Sequence, residues 1–279
     1  MRTAHTLRLL LPMLFVALLL PACSIWKNKR TAPETETLPV AELYQKARQF
    51  MVDGSWNRAE KYFQRLVARF PFGPYSEQAQ LDLTYVQYKG GKPDDAYSGI
   101  NRFIRTYPAQ KHIDYAYYLR GLINFNRSTS LLDAMVTRDK SDRDPGFMQQ
   151  SFNDFTDLVQ RYPSSRYAAD ARQRMVYLRN GLAQHELTVA FYYLRRHACV
   201  GATSRAQYII EHYQTSPQTG DALAIQAKCY EEMGLATQSR QAIQVLQANY
   251  PDHPYLGNPK SWPKFPSNLR RMIPFTSHG

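Results

Sequence analysis

Glycine and cysteine are scarce in this 279-residue sequence, which has 13 glycines and three cysteines. No run matches G-x-G-x-x-G or G-x-x-x-x-G-K-[ST], so the common nucleotide-binding loops have no support. The cysteines lack C-x-x-C spacing, which argues against a zinc module or a disulfide-dense miniprotein. A composition of 44% hydrophobic and 21% charged residues predicts a folded chain and excludes a collagen or a polytopic membrane protein.

Patterns typical of enzymes are missing as well. His185-Glu186 lacks the second histidine of H-E-x-x-H, and no G-x-S-x-G is present. Asp139, Asp142 and Asp144 lack the glycine and glutamate of a calcium loop. We therefore expect that the protein is not an enzyme and that it binds no cofactor and no metal. A metal-dependent hydrolase built around these aspartates stays open as the enzymatic alternative.

Acidic residues are outnumbered, with 23 Asp and Glu against 35 Lys and Arg, for a net charge of +12. The basic residues are spread along the chain and form no basic block or nucleic-acid-binding motif. We expect no nucleic-acid partner. Acidic proteins, anionic peptidoglycan or lipid headgroups fit this charge better.

The N-terminus indicates export. Arg2 and Arg8 form a positive region before the apolar stretch 9–20, which is too short to span a bilayer and suits a signal peptide over residues 1–22. The run L-P-A-C at 20–23 resembles a bacterial lipobox, so we expect diacylglycerol and N-acyl lipid on Cys23.

Sorting and tethering follow from the next residues. Ser24 stands where an aspartate would signal inner-membrane retention, which favours the periplasmic side of the outer membrane. Residues 23–39 show no apolar period and are predicted to form the lipidated N-terminus and a flexible tether.

Aromatic–proline pairs close successive amphipathic runs, and Tyr213 with Pro217 looks like a degenerate copy. The pairs are Phe70-Pro71, Tyr107-Pro108, Tyr162-Pro163 and Tyr250-Pro251. Pro217 and Pro251 are 34 residues apart, which is the period of the tetratricopeptide repeat (TPR), a pair of antiparallel helices. Proline ends the second helix because it cannot continue one.

The sequence thus predicts an all-α solenoid of about five TPR-like helical hairpins, or ten helices, over residues 40–251. The N-terminal repeats occupy about 40–126 and the C-terminal repeats about 147–251, with a polar insertion in the third repeat. Residues 167–197 could form one long helix or two helices broken near Gly181. Residues 252–279 are predicted to form a basic, proline-rich and mostly irregular tail.

TPR arrays bind extended peptides in a groove lined by their first helices. Tyrosines stack on a peptide, while cations receive its carboxylate. The alternative for each of these side chains is packing against the next repeat. The predicted peptide-binding residues are Tyr44, Arg48, Gln78, Tyr85, Tyr88, Lys89, Tyr115 and Tyr118.

Two cysteines remain after lipidation. Cys199 and Cys229 are 30 residues apart in neighbouring repeats. A disulfide between them is one interpretation, and two separate buried thiols are the alternative.

Four runs together resemble the BamD (ComL) family, the TPR lipoproteins of the outer-membrane β-barrel assembly machinery. They are P-F-G-P-Y-S-E-Q-A-Q-L-D-L at 71–83, R-F-I-R at 102–105, R-G-L at 120–122 and S-D-R-D-P at 141–145. The first and the last are far more specific than a TPR consensus.

This resemblance implies a non-enzymatic scaffold with several partners. Its C-terminal repeats would bind the periplasmic domains of the barrel insertase BamA, and its N-terminal repeats would receive the C-terminal segments of unfolded β-barrel proteins. Other lipoproteins of the assembly complex are further implied partners. The run Y-Y-L-R-R at 192–196 looks like the family's contact segment, although the family usually has glycine where this chain has His197. The expected partner-binding residues are Tyr192, Tyr193, Arg196 and Arg205.

A generic TPR lipoprotein that adapts peptidoglycan or cell-wall enzymes is the alternative function. It would ignore barrel precursors, whereas a member of the assembly machinery would bind them.

Overall fold

The computed structural model describes residues 34–133 and 145–263 and contains α-helices but no strands in these ranges. Cys23, the predicted signal peptide, residues 139–144 and the end of the tail lie outside them. The described helices are α1 (Glu34–Thr37), α2 (Val40–Val52), α3 (Trp56–Arg69), α4 (Pro74–Lys89), α5 (Pro93–Thr106), α6 (Ile113–Asp133), α7 (Pro145–Arg161), α8 (Ala168–Arg195), α9 (Cys199–His212), α10 (Thr219–Glu232), α11 (Ala236–Asn249) and α12 (Pro254–Gly257).

Helices α2 to α11 form five consecutive hairpins, and each helix packs on the next one along the chain. First helices of neighbouring repeats also contact each other: α2 contacts α4, and α8 contacts α10. This is the predicted all-α solenoid, and the fold class is confirmed.

Small residues let the two helices of a hairpin approach each other. Ala47 on α2 and Ala59 on α3 are fully buried, and Phe63 and Leu66 fill the space beside them with no exposed surface. The apolar period of 40–73 predicts this pairing because residues spaced three or four apart share one helix face.

The second helices end where the aromatic–proline pairs predict. Tyr107 leaves the helical region with φ −126° and ψ 59°, because a following proline disfavours the helical conformation. Tyr213 has a similar backbone without a proline after it, and its carbonyl accepts a hydrogen bond from Ser216 N at 2.8 Å.

Because successive helices run antiparallel, these turns share one side of the solenoid. We call this side the inter-repeat edge, formed by 70–73, 107–112, 162–167 and 213–218. The turns inside each hairpin form the opposite side, the hairpin edge.

The first helix of the fourth repeat is one continuous α8 of 28 residues. Gly181 does not break it. Met148 of α7 packs so closely on Gly181 that a Cβ there would overlap with the Met148 methyl group. The glycine therefore serves the contact between α7 and α8.

Residues 34–39 differ from the expected tether. Arg69 at the end of α3 donates from Nη1 to the carbonyls of Thr35 and Leu38, at 2.8 and 3.0 Å, and Arg65 pairs with Glu36. These contacts join residues distant in sequence, so composition alone does not predict them.

The tail also begins as packed structure. Tyr255 and Trp262 are 2% and 8% exposed, with ring centroids 5.5 Å apart. Residues 252–263 therefore extend the C-terminal core instead of forming the expected irregular arm.

His197 occupies the left-handed turn of the fourth hairpin, with φ 55°. Gly234 fills the equivalent place in the fifth hairpin, with φ 75° and nothing within 4 Å of an added Cβ. Because side chains other than glycine are strained in this conformation, we expect His197→Gly to raise the free energy of unfolding by about 0.5–1 kcal/mol. Gly234→Ala, the opposite change, should lower it by about 1 kcal/mol.

Urea unfolding followed by circular dichroism measures both changes. A loss of stability in His197→Gly would contradict backbone strain at this turn.

Candidate functional site

The predicted peptide-binding residues of α2 and α4 converge on a carboxylate that sequence reasoning missed. Asp82 accepts hydrogen bonds from the Tyr44 hydroxyl and from Gln78 Nε2, both at 2.9 Å, and Arg48 Nη1 lies 3.8 Å away. Asp82 is only 7% exposed. Its spacing of four residues from Gln78 is the one signal in the sequence that could have indicated it.

Burial dominates the electrostatics of this cluster. It raises the pKa of Asp82 above its usual range, although the hydrogen bonds from Gln78 and Tyr44 and the charge of Arg48 act in the opposite direction. Burial and then the Asp82 carboxylate raise the pKa of Tyr44, so Tyr44 remains a neutral donor. Arg48 keeps 45% of its side chain exposed.

A second cluster joins α6 to the start of α8. The Tyr118 ring stacks on Tyr167 with centroids 4.8 Å apart and 16° between planes, and its hydroxyl donates to Asp170 at 2.6 Å. Arg174 Nε pairs with the same carboxylate at 2.5 Å. Although burial opposes it, donation from Arg174 and Tyr118 lowers the pKa of Asp170.

The pKa of Tyr118 itself is raised to about 12, by burial and by its hydrogen bond to Asp170. Both clusters therefore hold neutral tyrosines against carboxylates. The sequence predicted Tyr118 but not Tyr167, Asp170 or Arg174, because the length of α8 was undecided.

The remaining predicted residues lie between the two clusters. Tyr85 and Lys89 both contact Trp56, at 6.3 Å between ring centroids and 6.0 Å from Lys89 Nζ to the ring. Tyr88 receives a hydrogen bond from Asn126, and the Tyr115 ring lies 5.4 Å from Tyr167. The tyrosines are half-buried and Lys89 is exposed.

The structure thus brings the predicted groove residues onto one aromatic surface of the first helices. Packing against neighbouring repeats, the alternative considered for each, also occurs, because the rings contact one another across helices. Arg48 and Lys89 are the predicted cations on this surface, and both are exposed.

The predicted partner-binding residues lie at the end of α8 and on α9. Arg196 is exposed, and its guanidinium stacks over the Tyr192 ring at 4.4 Å. Tyr193 packs on Gly201, where a Cβ would meet its ring at 3.0 Å. Arg205 pairs with Glu186 at 3.0 Å. Tyr193 thus holds α8 against α9.

Cys199 and Cys229 are free, buried thiols in the structure, and their side chains are neighbours. Cys199 Sγ contacts Glu232 Oε2 at 3.3 Å, and His197 Nδ1 lies 3.5 Å from the same oxygen. The pKa of Cys199 is raised, chiefly by burial, which keeps its thiol protonated.

The described ranges contain neither a cluster of metal ligands nor a helix suited to span a membrane. No group of three or more histidine, cysteine or acidic side chains there is arranged to hold a metal ion. None of the helices in these ranges combines the length and apolarity needed to cross a membrane.

Comparison with known proteins identifies the family. The family model YfiO, described as "Outer membrane lipoprotein", matches residues 36–256. A Xylella fastidiosa (strain Temecula1 / ATCC 700964) protein named outer membrane protein assembly factor BamD is 50% identical over 238 residues, 85% of this chain and 81% of that protein. This chain belongs to the BamD (YfiO) family of outer membrane lipoproteins.

More distant relatives carry the same name. The BamD protein of Neisseria meningitidis serogroup A is 38% identical over 242 residues, 86% of this chain and 91% of that protein. Among solved structures, the pilus biogenesis factor PilW covers 78% of this chain and 96% of its own, with 15% identity and a TM-score of 0.34. The resemblance of this chain to the BamD family is confirmed.

The buried Asp82 gives a measurable prediction. Tyr44→Phe removes one donor from a carboxylate with little access to water, so we expect a loss of about 1–3 kcal/mol in the free energy of unfolding at pH 7. Tyr75→Phe is the matched control, because the Tyr75 ring lies only 5.5 Å from Tyr44 but is 41% exposed.

Urea unfolding of both variants, repeated in an Asp82→Asn background, measures the coupling. Because the asparagine amide oxygen can still accept from Tyr44, an equal loss from Tyr44→Phe in both backgrounds would show that the negative charge of Asp82 does not carry the effect.

Proposed function

We propose that this protein is a lipid-anchored outer-membrane scaffold that takes part in β-barrel assembly. Its membership of the BamD family carries this proposal, and the names of its relatives as outer membrane protein assembly factors support it. In the proposal, lipid on Cys23 holds the chain on the periplasmic side of the outer membrane. The N-terminal repeats receive the C-terminal segments of unfolded barrel proteins.

The aromatic surface suits such a segment chemically. A barrel signal that ends in an aromatic side chain and a free carboxylate needs rings to stack on and a cation for its terminus. Arg48 lies 3.8 Å from Asp82, too far for a direct hydrogen bond, and is 45% exposed. Its N–H groups can therefore donate to a peptide carboxylate while Asp82 holds the side chain nearby.

The C-terminal repeats are the proposed contact for BamA and for the other lipoproteins of the complex. Arg196 is exposed and held over Tyr192, an arrangement of aromatic and guanidinium groups that is common at the centres of protein interfaces. Tyr193 and Arg205 support this surface through contacts within the chain.

Binding of a synthetic barrel C-terminal peptide tests the receptor role. With the mature chain carrying Cys23→Ser, we expect amidation of the peptide carboxylate to weaken binding by about tenfold, the equivalent of one lost charge-assisted contact. The double variant Arg48→Gln, Lys89→Gln should remove the difference between acid and amide. Fluorescence anisotropy measures both effects.

Lys61→Gln is the control for charge, because Lys61 is exposed on the second helix α3 and not on the aromatic surface. Peptide binding that ignores the carboxylate, or that Lys61→Gln weakens equally, would contradict the proposed groove chemistry. Binding of peptidoglycan in place of the peptide would favour the cell-wall adaptor.

Co-purification with BamA tests the C-terminal contact. Arg196→Glu reverses the exposed charge over Tyr192, so we expect the amount of co-purified BamA to fall by about tenfold or more. Arg172→Glu makes the same change near the other end of α8, where Arg172 is exposed, and should leave co-purification unchanged. Undiminished BamA with Arg196→Glu would place the contact elsewhere.

A further inference from the structure

The inter-repeat edge carries exposed cations that the proposed function does not use. They lie at the ends of α5 and α7 and in the turns that follow these helices. The five are Arg102, Arg105, Lys111, Arg161 and Arg166. Within the described ranges, none of them forms an ion pair.

The two turns that carry these cations are neighbours. Ser165 in the turn after α7 donates to Asp114 at the start of α6, at 2.7 Å. Arg161 lies over the Tyr117 ring of α6 at 5.8 Å. The cations therefore form one patch across the second, third and fourth repeats.

The acidic side chains nearby do not neutralise the patch. Asp157 pairs with Arg120 and Asp170 with Arg174, so both already have a cation. Asp114 accepts a hydrogen bond from Ser165 and keeps its charge, which offsets only one of the five cations. Glu77 is half-buried at the start of α4, one turn further towards the N-terminus. The patch thus keeps a net positive charge, and His112 beside it adds charge only when protonated.

The hairpin edge differs in charge. It carries Asp53, Asp94 and Asp95 beside Lys89 and Lys92 in the first two repeats. Lys92 is paired with Glu60 at 2.6 Å. In the first two repeats, the excess of unpaired exposed cations therefore lies on the inter-repeat edge.

The chain enters from the predicted lipid anchor on this same edge. Arg69, the last residue of α3, holds the carbonyls of Thr35 and Leu38. Glu34 follows Cys23 by 11 positions, so an extended connection reaches at most about 40 Å. Phe72, in the first inter-repeat turn, is 89% exposed, and an exposed apolar side chain of this kind can insert at the boundary between headgroups and acyl chains.

We propose that the inter-repeat edge docks on the anionic phospholipid headgroups of the membrane that holds Cys23. The proposal rests on lipidation of Cys23, which is part of the proposed function. The lipid anchor keeps the edge close to the leaflet, so a weak electrostatic contact suffices to orient the solenoid.

A lipid surface fits this patch better than an acidic protein segment does. The cations lie along an outer edge and not in a groove, so together they can face a flat surface. The exposed ring of Phe72 and the entry point of the anchor lie on the same side.

Vesicle flotation of the mature chain with Cys23→Ser tests the contact without the anchor. The buried side chains of the described ranges lie between Thr35 and Trp262, so removing residues 1–22 leaves these cores intact. Vesicles of phosphatidylcholine with about 30% phosphatidylglycerol should bind the protein, and vesicles of phosphatidylcholine alone should not. Added salt should weaken the binding.

A quadruple variant of the patch, with Arg105, Lys111, Arg161 and Arg166 changed to Gln, should bind the anionic vesicles at least about tenfold more weakly. The matched control changes four exposed cations away from the patch to Gln: Arg58, Lys61, Arg240 and Lys260. Both variants have the same net charge, so the control should lose less than about twofold.

Equal losses in the two variants, or equal binding to neutral and anionic vesicles, would overturn the proposal. So would a patch variant that keeps vesicle binding and loses an acidic protein partner. Peptide binding by the patch variant separates the receptor proposal from the membrane proposal. The patch variant should still bind the barrel peptide, whether or not the edge contacts vesicles. Circular dichroism checks that both variants are helical.

Discussion

The backbone conformation of the aromatic residue at the end of each second helix sets the architecture of this protein. In all five described hairpins the second helix ends at an aromatic residue, and a proline follows Phe70, Tyr107, Tyr162 and Tyr250 but not Tyr213. A following proline disfavours the helical conformation of the residue before it. This stop fixes where the chain reverses. The first helices then line one face, and the turns between repeats line one edge. The proposed peptide surface and the proposed membrane surface both depend on that regular reversal.

The face formed by the first helices is more than a set of aromatic rings. Asp82 and Asp170 each sit beneath a tyrosine hydroxyl and beside an arginine. Asp82 is buried, and a buried carboxylate is costly unless hydrogen bonds and a nearby cation stabilise it, whereas Asp170 is partly exposed. These carboxylates fix the orientation of Tyr44 and Tyr118, so the rings present defined edges and faces. A surface of this kind loses less side-chain entropy when a peptide binds.

The sequence predicted local features well. Ala47, Ala59 and Phe63 were recognised because helix periodicity and size are visible in a single repeat. Asp82 was missed because an aspartate on an amphipathic helix looks the same whether it is solvated or buried beneath a neighbouring repeat. The helical turn at 34–37 was missed for a similar reason, since its stability comes from Arg65 and Arg69 some thirty residues later. Gly181 was ambiguous, because a glycine can break a helix or admit a neighbouring side chain, and only the position of Met148 decides.

Helix α8 runs from the aromatic surface to the proposed partner surface without a break. Asp170 and Arg174 lie near its first residue, and Tyr192 near its last. Its 28 residues span about 42 Å. As a rigid lever, α8 would convert a tilt of about 7° at one end into a displacement of about 5 Å at the other. The length of this one helix therefore joins the two halves of the solenoid mechanically, and a peptide that shifts Tyr118 and Asp170 would move the far end as well.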